Sequence, residues 1–307
     1  MLHGLMELSD EFLIPQVPTP METGLYDVFF QLRLDHPEIF WAVGFKYRYY
    51  KDSPNLILIP EYIFDKNKIR EHQKALGARV DKLVRTAMKF SEWDKEKYVH
   101  DFICENIRYD KLKKPYSHEI IGPLGHGVGV CEGIAKSVKV LCDALGVWCI
   151  IAICGNNPEK GSNTVIPGTS SGSTDSTIIW MPPSIILWAK NEDGLTSIRY
   201  DYFNLDDKNI FRDHEPLIAP APPCPDGNHF YYREKKLSFT KLEDVYKRAL
   251  QAAKKGREFT FHWRGGYLTR EVLADLVDQI QAAGKTRDKK AIITLNWPQA
   301  VLRFHFV

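Results

Sequence analysis

The sequence predicts an α+β fold, with a central core region and a small α/β region on either side of it. Apolar residues recur at helical spacing in some segments and alternate along short runs in others, which is typical of mixed helices and strands. The chain has 307 residues, 44% of them hydrophobic, which is enough for one large core or two to three modest ones. We place the three regions at 1–90, 91–215 and 216–307, and five prolines between Pro216 and Pro225 mark the second boundary.

The individual elements follow from the same patterns. Residues 1–20 carry three prolines and are predicted to be an extended lead. The N-terminal and middle regions should then contain helices at 26–34, 65–89, 94–107 and 131–145 and strands at 40–50, 55–60 and 148–154. The C-terminal region should contain helices at 240–254 and 269–283 and strands at 258–263, 291–295 and 300–307.

Composition and charge exclude several classes of partner. The 41 basic and 39 acidic residues give a net charge of +2. We therefore expect no strong positive electrostatic field that would attract nucleic acid or an anionic membrane surface. No stretch of about 18 apolar residues predicts a membrane span, and the N-terminus lacks the pattern of a signal peptide. The six cysteines show no C-x-x-C spacing and no adjacent histidines, so we expect no metal site, no cofactor and a reduced, cytoplasmic setting.

The most informative residue is Cys131, which follows a glycine-rich turn and begins the helix predicted at 131–145. Gly146 stands where glycine commonly ends a helix, and one apolar stripe consists of Ile134, Val138, Leu141 and Leu145. The N-terminus of a helix carries partial positive charge and free N–H groups, which stabilise a thiolate and can hold the oxyanion of an attacked carbonyl. The pattern indicates a nucleophilic cysteine, and the alternative is a small apolar residue at a buried helix start.

Residues 129–147 carry a resemblance to a known family, and they read Gly-Val-Cys-Glu-Gly-Ile-Ala-Lys-Ser-Val-Lys-Val-Leu-Cys-Asp-Ala-Leu-Gly-Val. This segment resembles the nucleophile helix of the bacterial transglutaminase-like superfamily, thiol enzymes related in mechanism to papain-type proteases. The segments 96–110, 199–207 and 212–214 agree with the same family. The resemblance therefore extends from residue 93 to residue 214.

The resemblance implies a transglutaminase-like (papain-like) core in which the nucleophile helix packs on an antiparallel sheet. Cys131 is then the catalytic nucleophile. It attacks a glutamine carboxamide or a peptide carbonyl and forms a thioester, which an amine or water resolves. The resemblance also implies a protein or peptide substrate and no cofactor.

The sequence departs from the family where the catalytic base and the residue that orients it should stand. A His-x-Trp-Asn strand and then a Tyr-His-x-Asp strand are expected between the matching segments, and neither is present. Residues 162–189 occupy this place, and Asp175 is their one charged residue. A plain interpretation of the segment is a flexible loop followed by fragments of edge strands.

The genetic code offers a second interpretation of the segment. Joining the last base of each codon to the first two bases of the next codon gives a shifted reading frame. The codons of this frame can encode both missing motifs in the expected order. Three shifted codons can encode only one amino acid each: the codon across Trp180-Met181 encodes aspartate, the codon across Met181-Pro182 encodes alanine, and the codon across Trp188-Ala189 encodes glycine. We interpret residues 162–189 as a compensated frameshift or a sequencing error in an intact gene, and sequencing codons 160–192 decides between the two.

The literal sequence keeps the nucleophile and lacks its partners, so we expect a nearly inert pseudoenzyme. The in-frame histidines His118, His126 and His214 are interpreted as loop or surface residues. An alternative from another class is a non-catalytic module that keeps the fold to bind peptide or cell-wall fragments. A frameshifted segment was not selected to form core strands. Residues 162–189 should therefore be irregular and should leave the inner face of the cysteine helix poorly covered.

Overall fold

The computed structural model describes residues 1–16, 21–156, 175–181, 184–186, 198–216 and 222–307. These residues form a mixed α and β structure of helices and small sheets, which agrees with the sequence prediction that the chain contains both kinds of element. The chain divides into two compact units. The first comprises residues 1–152 and 177–181, and the second comprises residues 153–176 and 182–307.

The N-terminal part of the first unit is a three-stranded antiparallel sheet with helices before and after it. Its elements are α1 (Leu2–Met6), β1 (Phe12–Pro15), α2 (Met21–Asp35), β2 (Ala42–Tyr49), β3 (Asn55–Tyr62), α3 (Lys66–Arg85) and α4 (Glu92–Asn106). The strand order is β1-β3-β2. The helices and strands that the sequence predicts between residues 26 and 107 are confirmed, with ends shifted by a few residues.

Local sequence explains where the two long helices of this part begin. The Asp65 carboxylate accepts hydrogen bonds from the N–H groups of Asn67 and Lys68 at the start of α3. The Ser91 hydroxyl accepts one from the N–H of Asp94 at the start of α4. These side chains satisfy donors that have no partner within the helix. The buried stripe of α3 consists of Ile69, Leu76, Val80 and Val84.

Within residues 1–16, the part that the structure describes, the extended lead predicted for residues 1–20 is wrong at residues 2–6, which are helical, and agrees with residues 12–15, which are an extended strand. A short helix, α1, and an edge strand, β1, occupy this part. Leu5 is fully buried, and its carbonyl oxygen accepts a hydrogen bond from the Trp41 indole N–H. Apolar packing and strand pairing therefore order this segment, and Pro15 is tolerated because β1 is an edge strand.

A series of tight turns leads into the cysteine helix α5 (Cys131–Ala144). The elements before it are β4 (Arg108–Tyr109), a 3-10 turn (Pro115–His118), a π-helical turn (Ile121–His126) and β5 (Val128–Gly129). The helix ends as predicted, because Gly146 has a φ of 71°, in the left-handed region where glycine is favoured. The Val147 N–H then donates to the Cys142 carbonyl oxygen.

The inner face of α5 is well covered, so the expectation of a poorly covered stripe is wrong. Each stripe residue is at most 2% exposed: Ile134, Val138, Leu141 and Leu145. The helix packs against α3, α4 and the 3-10 and π-helical turns that precede it. Helices and turns of the first unit therefore bury the stripe.

The irregularity expected for 162–189 is wrong at residues 175–181 and 184–186, which are strands. In the strand order, β7 (Asp175–Met181) is the neighbour of β6 (Ile150–Asn156). In the second unit, β8 (Ser184–Ile186) pairs antiparallel with β9 (Phe203–Leu205), and β10 (His214–Pro216) pairs antiparallel with residues 154–156. Isoleucine, threonine and tryptophan favour strands, and two prolines separate β7 from β8. Residues 162–174, 182–183 and 187–189 lie outside the described residues.

The C-terminal part of the second unit is a four-stranded sheet packed against two helices. Its elements are α6 (Asp207–Ile210), α7 (Tyr231–Glu234), β11 (Ser238–Phe239), α8 (Leu242–Lys255), β12 (Phe259–Trp263), α9 (Arg270–Lys285), β13 (Ala291–Asn296) and β14 (Val301–Phe306). The strand order is β11-β12-β14-β13, and Phe261, Leu302 and Phe304 lie in its core. The elements predicted for 240–307 are confirmed. Within the described residues, no helix is both long enough and apolar enough to cross a membrane.

Candidate active site

Cys131 is the first residue of α5, and its side chain is half-buried. Val130 precedes it in an extended conformation and gives the helix no side-chain cap. The parallel pairing of β4 with β5 places Tyr109 opposite Gly129, two residues before the cysteine. Burial raises the pKa of the Tyr109 phenol, and the neighbouring Cys131 and Asp110 raise it further. The thiol therefore lies at a helix start with a phenol nearby.

The 3-10 turn at Pro115–His118, in which Ser117 is buried, lies against the first turn of α5. The Val130 N–H donates to the Ser117 carbonyl oxygen at 3.0 Å, and a β-carbon added at Gly133 would lie 2.2 Å from that oxygen. Asp110 holds the turn, because its carboxylate accepts hydrogen bonds from the Ser117 hydroxyl at 2.5 Å and from the Lys114 N–H at 3.0 Å. The glycine two residues after Cys131 therefore has a packing role.

Two residues of α5 belong to a largely buried group of ionic side chains from three segments, which we call the charge cluster: Arg33, His118, Glu119, Glu132 and Lys136. The Lys136 side chain has no exposed surface, and its ammonium lies 2.9 Å from both carboxylate oxygens of Glu119 and 2.7 Å from Glu132. Arg33 pairs with Glu119 and lies 3.7 Å from Glu132. Two cations therefore balance two carboxylates beside the first turn of α5.

The charge cluster keeps Glu132 ionised. Burial raises the pKa of this carboxyl, but the hydrogen bond with His118 and the charges of Lys136 and Arg33 outweigh burial and lower it to about 2. Sequence reasoning missed the cluster because its members come from three separate segments. The i, i+4 spacing of Glu132 and Lys136 on one helix was the local signal that could have found part of it.

The two histidines that precede Cys131 have other contacts. His118 is 40% exposed, and its Nδ1 lies 3.2 Å from the Glu132 carboxylate. The exposed His126 packs against Tyr116, with ring centroids 5.0 Å apart. Among the described residues, neither imidazole is hydrogen-bonded to the Cys131 sulfur. Both are turn residues, as the sequence predicts.

The expectation of a loop or surface residue is wrong for His214, in the second unit. This histidine begins β10, is 4% exposed, and has its Nδ1 2.7 Å from the Asp213 carboxylate. Asp213 also accepts hydrogen bonds from the Tyr202 hydroxyl at 2.7 Å and the Gln299 amide at 3.3 Å. A strand position buries this histidine, and short strands of this kind leave little periodicity in the sequence.

A second half-buried thiol, Cys104, was not singled out by the sequence reasoning. Its sulfur lies 3.8 Å from Nε2 of His100, one turn earlier in α4, so the signal was the i, i+4 spacing. Burial raises the pKa of Cys104 to about 12, with further contributions from Asp101 and Glu105. The thiolate is the reactive form, so this thiol is a poor nucleophile at neutral pH. The other four cysteines are buried.

Comparison with known proteins shows no family for this chain. The sequence matches no protein-family model and no curated protein at a significant level. Fold and site together define a mixed α and β protein with a half-buried cysteine at a helix N-terminus. Among the described residues, no group of three or more His, Cys, Asp and Glu side chains is arranged to hold a metal ion.

Proposed function

We propose that this chain is a transglutaminase-like thiol protein whose nucleophile is Cys131, and that the chain as written accepts an acyl group without turning over an amide. One observation carries the proposal. Cys131 is half-buried and begins a 14-residue helix whose N-terminus no described side chain caps. Backbone N–H groups at such a terminus can stabilise a thiolate and then an oxyanion.

In the proposed reaction, the Cys131 thiolate adds to a carbonyl carbon, and N–H groups of the first turn stabilise the oxyanion. The tetrahedral intermediate then expels the leaving group and becomes a thioester. A leaving amine must take up a proton at this step, which requires a general acid. His118 is held by Glu132 and, within the part of the chain that the structure describes, is not hydrogen-bonded to the thiol. Among the described residues, no imidazole is therefore placed to supply this proton.

The chain should distinguish an activated ester from an amide, because p-nitrophenolate leaves without taking up a proton. With p-nitrophenyl acetate we expect a burst of p-nitrophenolate and one acetyl group on Cys131. With a glutamine peptide and a primary amine we expect no measurable incorporation, since loss of a catalytic partner costs roughly 10⁴-fold or more in kcat. Absorbance and peptide mass spectrometry measure the burst, and amine labelling measures the turnover.

Two cysteine variants control this experiment. Cys131→Ala should abolish the burst, whereas Cys104→Ala, which removes the other half-buried thiol, should leave it intact. A burst that survives Cys131→Ala would reject Cys131 as the nucleophile. Amine incorporation that disappears in Cys131→Ala would instead show an active amide pathway and make His118 or His126 the candidate base.

A further inference from the structure

The second unit contains a pocket of about 720 Å³ that the proposed thiol chemistry does not use. Residues of α6, of the segment that begins α7, of the loop after β12 and of the turn between β13 and β14 line it. Ligand pockets in proteins typically measure roughly 300–1,000 Å³. The volume therefore suits a small molecule.

Among the described residues, this pocket is lined by one carboxylate, Asp206, and by four cations: Lys208, Arg212, Arg233 and Arg264. The Asp206 carboxylate is already engaged, because it accepts hydrogen bonds from the backbone N–H and the side-chain amide of Asn209. Among the described residues, none of the four cations forms an ion pair with a carboxylate. The pocket therefore has an uncompensated positive charge.

Backbone carbonyl groups hold two of the guanidinium groups in place. Arg212 donates from Nη1 to the Pro298 carbonyl oxygen at 3.0 Å, and Arg233 donates from Nη1 to the Gly227 carbonyl oxygen at 3.2 Å. A carbonyl oxygen orients a guanidinium without neutralising it, so each group keeps both its charge and its other N–H donors. This arrangement preorganises them for an anion.

His262 also lines the pocket, together with these cations. Burial lowers the pKa of its imidazole to about 3, and Arg233, Arg212 and Arg264 contribute to the shift. Three guanidinium groups from different segments are therefore close enough to act on one ring. The imidazole is neutral at physiological pH, and its Nδ1 lies 2.9 Å from the Ser238 hydroxyl.

Aromatic side chains lie among the cations: Phe230, Trp263, Tyr267 and Trp297. Tyr267 is 91% exposed and follows Gly266, which has a φ of 131°, in the loop after β12. A ring with so much exposed surface contributes little to the core. It is available to stack on a planar ligand.

We propose that this pocket binds a phosphorylated small molecule with a planar ring, and specifically a nucleoside diphosphate. Guanidinium groups bind phosphate oxygens through paired hydrogen bonds, and exposed aromatic rings stack on nucleobases. The net charge of +2 argues against long-range attraction of a nucleic-acid polymer. The net charge of the whole chain does not determine the local charge of a pocket into which the fold brings four cations.

Calorimetric titration of the full chain with ADP, inorganic pyrophosphate and adenosine tests the proposal. We expect ADP and pyrophosphate to bind and adenosine not to bind measurably, because the cations supply most of the affinity. Arg212→Ala or Arg264→Ala should weaken ADP binding by about tenfold, the usual effect of losing a hydrogen bond to a charged group. Arg248→Ala, an exposed arginine of α8 outside the pocket, should leave ADP binding unchanged.

The aromatic part of the site has a separate test. Tyr267→Ala should weaken ADP binding at least about fivefold and leave pyrophosphate binding unchanged, since stacking on a base is lost and phosphate contacts are kept. Absence of ADP binding up to about 1 mM would overturn the proposal. So would an equal loss in Arg248→Ala, and so would tight binding of a single-stranded oligonucleotide without binding of ADP.

Discussion

Lys136→Met is expected to destabilise the first unit by about 3–5 kcal/mol. The side chain is fully buried, and its ammonium lies between the carboxylates of Glu119 and Glu132. Methionine fills a similar volume without a charge, so the two carboxylates are left to share Arg33. A buried carboxylate that loses its partner keeps its desolvation cost without the compensating attraction. Hydrogen exchange of the α5 amides as a function of urea concentration measures the loss locally.

An exposed ion pair of the same unit supplies the matched control. Lys68 is 44% exposed, and its ammonium lies 2.9 Å from Glu71, so Lys68→Met should change stability by no more than about 0.5 kcal/mol. Adding Glu119→Gln to Lys136→Met should restore part of the loss, because Arg33 then has one buried carboxylate to balance and not two. Equal effects of Lys136→Met and Lys68→Met would contradict a buried, mutually dependent charge cluster.

Gly133→Ala is expected to destabilise the first unit by about 1–3 kcal/mol, although alanine is the better helix former. The added β-carbon would lie 2.2 Å from the Ser117 carbonyl oxygen, a backbone atom that a hydrogen bond from the Val130 N–H holds in place. Alanine's helix preference is worth at most about 1 kcal/mol, so the steric cost outweighs it. Urea denaturation with the same exchange readout checks the result.

Gly77→Ala makes the same chemical change in α3 and should have the opposite sign. A β-carbon at Gly77 meets no atom within 4 Å, so only the helix preference acts, and we expect a gain of about 0.5–1 kcal/mol. Stabilisation by both substitutions would show that the turn at Ser117 can move away from α5 at little cost.

Sequence patterns located most helices and strands because neighbouring residues specify each of them. In α5, four stripe residues at helical spacing and Gly146 at the end all belong to one short segment, and the structure has the helix where they predict it. The strands at 175–181 and 184–186 agree with the plain interpretation of a loop followed by strand fragments and contradict the irregular segment expected from a frameshift. Their isoleucine-rich composition carries strand propensity, which acts on the chain whatever the history of its codons.

Features that join distant segments could not be predicted from local patterns. The charge cluster joins Arg33 to Glu119 and Lys136, and the pocket of the second unit joins cations from residue 208 to residue 264. No periodicity links such positions. The candidate nucleophile was predictable because its motif is contiguous, whereas the surroundings of the thiol depend on turns whose packing the sequence does not show.

The order in which the six cysteines react with limiting iodoacetamide tests most directly whether Cys131 is the nucleophile of this chain. Cys104 is the internal comparison, since it is also half-buried but has a pKa raised to about 12 by burial. The buried thiols should be slower still; they are Cys142, Cys149, Cys154 and Cys224. Peptide mass spectrometry should find Cys131 labelled first at neutral pH. Labelling of Cys104 before Cys131, or Cys131 among the last to react, would contradict the assignment.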